Sequence, residues 1–161
     1  LRDAQRKATR LPKTGMALTA DIGNPRDIHP KNKWEVGRRL ALFALRDVYG
    51  QDGIEPDGPS LLSATGEGDT MTLAFRHVGG SLTAIGKTLD HFELSGSDGV
   101  YRPAVASISD DGQSIVLRAE GVTNPTAARY LWSDTAQASA PYGAVPDSHT
   151  VDREGRRARS G

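Results

Sequence analysis

The hydrophobic period of this chain changes once, near residue 50, and that change limits the folds open to it. Before it, Val36, Leu40, Phe43, Ala44 and Val48 recur at helical spacing, and Leu42, Leu45 and Tyr49 widen the stripe. After it, apolar residues alternate in short runs broken by Gly, Asp and Pro. A pattern of period 3.6 does not settle as a strand, nor one of period 2 as a helix. The chain therefore reads as an α/β segment followed by an all-β domain.

In the first segment, Met16–Ile22 alternates as a strand, with Met16, Leu18, Ala20 and Ile22 on one face. Gly23-Asn24-Pro25 stops it, and a polar loop, Arg26 to Lys31, leads to a helix predicted over Lys33–Tyr49. Asn32 can cap that helix, Glu35 stands where a capping box needs a carboxylate, and Gly50 ends it. The width of the stripe predicts a well-buried helix. In α/β folds ligands gather at the carboxyl ends of strands, which is where the loop from Gly23 to Asn32 lies.

Residues 51–59, rich in Gly, Pro and Asp, read as a linker. Beyond it, Thr70–Arg76 places Met71, Leu73 and Phe75 on one face. His91–Leu94 and Val100–Ser109 flank Ser97-Asp98-Gly99, a hairpin signal. Asp111-Gly112 separates Val100–Ser109 from Ser114–Ala119, and Ala128–Trp132 closes the set. Short strands with turns between them predict a β-sandwich over 60–133. Gly66-Glu67-Gly68-Asp69 and Gly79-Gly80 read as turns, since no helix start or Lys-Ser/Thr follows to make a phosphate loop. From residue 134 the pattern is lost. That stretch, ending in the basic run Arg153–Arg159, reads as an irregular or disordered tail.

Lys and Arg together number 20, as do Asp and Glu, so the chain is neutral and offers no electrostatic reason to bind nucleic acid or an acidic membrane. With no cysteine there is no disulfide and no thiolate chemistry. His77, His91 and His149 have no metal-ligand spacing with one another or with His29, so neither a metal nor another cofactor is expected. The first residues are charged, with no apolar stretch behind them and no initiating methionine, which leads us to expect a chain that starts within something longer. Trp34, Tyr101 and Trp132 read foremost as packing aromatics, with a sugar-lined groove the alternative for Tyr101 and Trp132.

Chemistry is best placed in the loop Arg26-Asp27-Ile28-His29-Pro30. A His at a strand end beside a carboxylate can serve as general base toward a serine, while the carboxylate fixes the imidazole tautomer and stabilises the imidazolium. Several blocks carry a resemblance around it: Leu1–Gln5, Leu11–Ala17, Asp21-Ile22-Gly23, Asp27–Lys33 and Val36–Leu42. It continues through Tyr49-Gly50, Gly58-Pro59, His91–Leu94 and Ala128–Trp132. In order and spacing these blocks resemble the sialate O-acetylesterase family of SGNH hydrolases, serine esterases with a flavodoxin-like α/β core. The resemblance implies that residues 1–50 are the last strand, catalytic loop and last helix of that core. It implies an O-acetylated sugar as substrate, with sialate 9-O-acetyl groups typical, and a secreted or periplasmic location. His29 matches the catalytic base and Asp27 its acidic partner, with Asp21 the fallback. The broader superfamily sets its Asp three residues before the His, where this chain has Arg26. The nucleophile block, a Gly-Gln-Ser-Asn-like stretch, and the oxyanion blocks have no match here. The resemblance places them in a preceding part of the same hydrolase, the partner this chain is expected to need. Two other readings stay open: a non-catalytic sugar-binding or interaction module, and an esterase of acetylated plant polysaccharide.

Overall fold

The structure, a computed structural model, describes residues 2–24, 26–84, 89–133 and 151–152. Two helices come first, α1 (Arg2–Ala8) and α2 (Lys33–Asp47). Seven strands follow: β1 (Ser60–Glu67), β2 (Thr70–Arg76), β3 (Phe92–Ser95), β4 (Arg102–Ile108), β5 (Ser114–Arg118), β6 (Ala127–Tyr130) and β7 (Val151–Asp152). Apart from β7, residues 134–161 lie outside the described residues, and with them the expected tail and His149.

All seven strands belong to one antiparallel sheet in the order β1-β2-β5-β4-β3-β6-β7. The two-layer sandwich expected from the sequence is thus a single sheet curled into a half-barrel. The curl originates at β4. Its first residues, Arg102 to Ala104, pair with β3, whereas Val105 to Ile108 pair with β5. A strand that changes partner partway along turns the sheet, and the right-handed twist of strands carries the bend onward. A bulge at Leu62, between Leu61 and Ser63, bends β1 as well and leaves Leu62 exposed. The two ends of the curl meet where Asn124 N donates to Gly68 O at 2.7 Å. A Cβ added at Gly66 would stand 2.5 Å from Pro125 O, so only glycine fits there.

Alternation fills the inside of the curl. Met71, Leu73 and Phe75 of β2 and Ile115 and Leu117 of β5 are buried at every second position. Phe92 and Leu94 of β3 and Ala128 and Tyr130 of β6 extend the core, which Ala64, Leu82, Leu89, Val122 and Leu131 complete. Phe92 pairs directly with Tyr130, and their rings lie 4.4 Å apart at 34°, a tilted contact of the kind aromatic pairs favour. Gly68-Asp69 makes the tight β1–β2 turn and Asp111-Gly112 the β4–β5 turn, with Gly68 and Gly112 at positive φ.

The N-terminal segment departs further from expectation. Residues 16–22 form no strand. A strand exists through hydrogen bonds to a neighbour, and among the described residues none pairs with this stretch. The helix forms as its cap requires, with Glu35 N donating to Asn32 Oδ1 at 3.2 Å, but it ends at Asp47. Val48 N and Tyr49 N both bond to Ala44 O, and Gly50 lies at positive φ past the end. Nor is α2 well buried. Leu40, Val48 and Tyr49 are exposed and Trp34 is 76% exposed, while Arg39 is 2% exposed. The helix turns Glu35, Arg39, Phe43 and Arg46 toward the rest of the described structure. Arg46 reaches Asp57 at 2.6 Å, tying α2 to the segment that enters β1. Gly15 crosses directly over Phe43, where a Cβ would fall 2.5 Å from the ring.

Candidate active-site loop

The loop between residues 22 and 32 is anchored at both ends before it presents any chemistry. At the near end, Arg39 extends from α2 and donates to both carboxylate oxygens of Asp21, at 2.8 and 2.6 Å, and to Leu18 O. Its Nε donates to Glu35 Oε1 at 2.8 Å. Burial works against the Arg39 charge, but the hydrogen bonds to Asp21 and Glu35 outweigh it and raise the guanidinium pKa above its ordinary value. The same arrangement acts on Glu35. Hydrogen bonds from Arg38 and then Arg39 lower its pKa from 4.5 to about 2. At the far end, Asn32 caps α2.

Asp27 and His29 stand together between these anchors. Asp27 Oδ1 accepts the His29 backbone N–H at 2.9 Å, a local side-chain turn that fixes the main chain between them. His29 Nδ1 lies 3.4 Å from the same oxygen. The imidazole side chain is 80% exposed, so its Nε2 edge is open to a reacting group while Nδ1 faces the carboxylate. At 3.4 Å this is an approach and not a hydrogen bond; a closer contact would select the tautomer that leaves Nε2 as acceptor. Ile28 between them is 90% exposed.

The sequence placed Asp27, His29 and Asp21 in one neighbourhood, and the structure gives them different contacts. Asp27 and His29 are brought together, and Asp21 is held by Arg39. Sequence reasoning missed Arg39, although a signal was present. Arg39 lies four residues after Glu35, the favourable order for a helical ion pair, and three from Val36 at a position on the helix's apolar side. His77 pairs with Glu55 at 3.1 Å and is remote in kind from the loop. No group of three or more His, Asp or Glu among the described residues could hold a metal ion.

A second built feature lies on the sheet. Arg129 of β6 and Glu93 of β3, directly paired in register, form a bidentate ion pair at 2.7 and 2.9 Å. That pairing raises the Arg129 pKa. The Arg129 guanidinium also lies over Tyr101, 4.1 Å from the ring centroid, and 6.0 Å from that of Trp132.

No family model matches the chain, and no curated protein matches it. Among solved structures, it is similar to a carbohydrate acetylesterase from Xanthomonas citri, with 36% sequence identity and a TM-score of 0.82. The match covers 94% of this chain and 35% of that one, so the chain spans about a third of its neighbour's length. The likeness supports a carbohydrate esterase relationship for both the N-terminal segment and the half-barrel.

Proposed function

We propose that this chain is the histidine-bearing part of a carbohydrate O-acetylesterase. The observation that carries the reading is the likeness to the Xanthomonas citri acetylesterase across nearly the whole chain, and the loop that sets His29 beside Asp27 is compatible with it. In this reading residues 1–50 contribute the last strand, loop and helix of an SGNH-type core. The remainder of that core supplies a serine and the oxyanion donors.

The chemistry then runs as acyl transfer. The serine Oγ attacks the acetyl carbonyl, and its proton passes to His29 Nε2. Asp27 stabilises the imidazolium, and the proton goes on to the departing sugar hydroxyl. Water, deprotonated by the same imidazole, then releases acetate. The apolar face of α2 fits this reading. Leu40, Val48 and Trp34 are exposed here, and a core packed on that face would cover them. An extended 16–22 segment would likewise gain a neighbouring strand there.

O-acetylated sialate is the substrate that the sequence resemblance favours, and acetylated neutral polysaccharide is the second reading. In the full-length enzyme, His29→Ala should lower acetylesterase turnover by about four orders of magnitude. Near-normal turnover in that variant removes His29 from the mechanism and leaves a binding module as the surviving reading. Comparing acetyl release from O-acetyl sialosides and from acetylated xylan separates the two substrates.

A further inference from the structure

The half-barrel carries a groove that the esterase chemistry does not use. It opens where β3 and β4 part. Beyond Ala104, β4 pairs only with β5, so Leu89, Asp90 and His91 approach it outside the ladder. The groove has a volume of about 570 Å³ and is lined by both segments together with Glu93, Arg129 and Trp132. Two non-glycine residues at its end hold left-handed backbone, His91 at φ 67° and Leu131 at φ 50°. They are locked to each other, Leu131 N donating to His91 O at 3.0 Å. Such a conformation is strained for a leucine. Its effect is visible in the next residue. Leu131 is buried, and Trp132 is turned outward at 58% exposure beside Arg129.

We infer that this groove is a binding subsite for a neutral pyranose chain. An indole held outward by strained backbone presents an apolar plate, which matches the C–H face of a pyranose ring. Beside it one pair of charges cancels. Glu93 takes two of the Arg129 donors, and Tyr101 covers one face of the guanidinium. What remains is a mostly apolar lining with one further carboxylate, Asp90, which offers acceptors to sugar hydroxyls and repels an anionic sugar. A sialate carboxylate would have to compete with Glu93 for Arg129, and breaking that partly buried pair is unfavourable. The groove therefore selects for neutral over acidic sugars. This inference does not depend on His29 or Asp27.

The test uses the full-length enzyme in wild-type and Trp132→Ala form, the difference between the two giving the signal that belongs to Trp132. Xylohexaose, cellohexaose and 3′-sialyllactose are titrated while Trp132 fluorescence and acrylamide quenching are followed. A neutral hexasaccharide should shift the emission saturably and protect the indole from quencher. Trp132→Ala, followed by calorimetry, should weaken binding by about tenfold, and Trp132→Phe by less, with unchanged melting temperatures. The inference is overturned if Trp132 is already shielded from acrylamide without sugar, or if no neutral sugar binds saturably. Undiminished affinity in Trp132→Ala, or sialyllactose binding as tightly as the neutral sugars, overturns it equally. The esterase reading fails on His29→Ala turnover and this one on Trp132 binding, and neither result decides the other.

Discussion

The N-terminal segment and the half-barrel are held together by opposite means. Inside the curl, Met71, Leu94, Ile115 and Leu117 are sealed from water, and each fully buried side chain of this size contributes about 1.5–3 kcal/mol. Along α2 the order is reversed. A guanidinium is the buried residue, and leucine, valine and tryptophan face solvent. The half-barrel can thus hold its shape on its own apolar contacts. The segment before it is held mainly by charged hydrogen bonds, with Ala20 packed on the core and Gly15 against Phe43, and its exposed apolar stripe is what a further layer would bury. The region carrying the Asp27–His29 loop and the region carrying the apolar core are thus built with different chemistry.

The two tryptophans make that contrast measurable, since Trp34 sits on α2 and Trp132 just after β6. The largest effect on stability should come from Leu94→Ala, at about 4 kcal/mol, because the cavity lies where nothing can collapse into it. Equilibrium unfolding should show it on the Trp132 signal, and a loss confined to Trp34 would reverse the assignment of the two regions. Arg39→Met should cost about 3 kcal/mol by leaving the Asp21 and Glu35 carboxylates without their buried partner. It should move the Trp34 transition and spare that of Trp132. A common shift of both would show that the two regions unfold as one.

Acid should act on the same network. The Glu35 pKa is depressed in the fold from 4.5 to about 2, so its contribution is fully present above 4.5 and is lost as pH falls toward 2. Trp34 emission should change across that window before Trp132 does, and an acid transition led by Trp132 would contradict the ionic account. The smallest effect is expected from Asn32→Ala, which removes the cap of α2 and should cost about 1 kcal/mol. Hydrogen exchange at Glu35 should report it, and unchanged protection there would show that the cap does not hold the helix start.

Much of the half-barrel was legible in advance because its strands alternate cleanly. Met71, Leu73 and Phe75 were placed on one face, Ser114–Ala119 was read as a separate segment after the Asp111-Gly112 turn, and the hairpin around Ser97-Asp98-Gly99 joins β3 to β4. β1 was not legible, because Ser60–Glu67 carries Ser, Thr and Gly where a strand signal needs branched apolar residues, and a bulge interrupts its period. The curl was hidden for another reason. Nothing local in Arg102–Ile108 announces that β4 changes partner at Val105, since pairing is decided by residues far along the chain. For α2, periodicity gave the helix but not its rotation, because Arg39 lies inside through bonds to Asp21 and Leu18 that depend on where residues 16–22 run. Asp27 and His29 were readable as a pair because two residues of a tight loop are close whatever surrounds them. Glu93 and Arg129 meet only through strand register, which short alternating runs do not specify.

The Gly68-Asp69 turn has the look of a site where extra sequence could be inserted freely: a glycine and an aspartate at an exposed hairpin tip. Its backbone says otherwise. Gly68 O holds Asn124 N, and Gly66 lies beneath the Pro125 carbonyl. This tip is a clasp between the first strand and the loop leading to β6. A tag, a fused domain or a new chain terminus placed there would open the curl at its seam. The Ser97–Gly99 hairpin tip, closed by the short-range bond from Gly99 N to Gly96 O, is the better point of entry for an engineer.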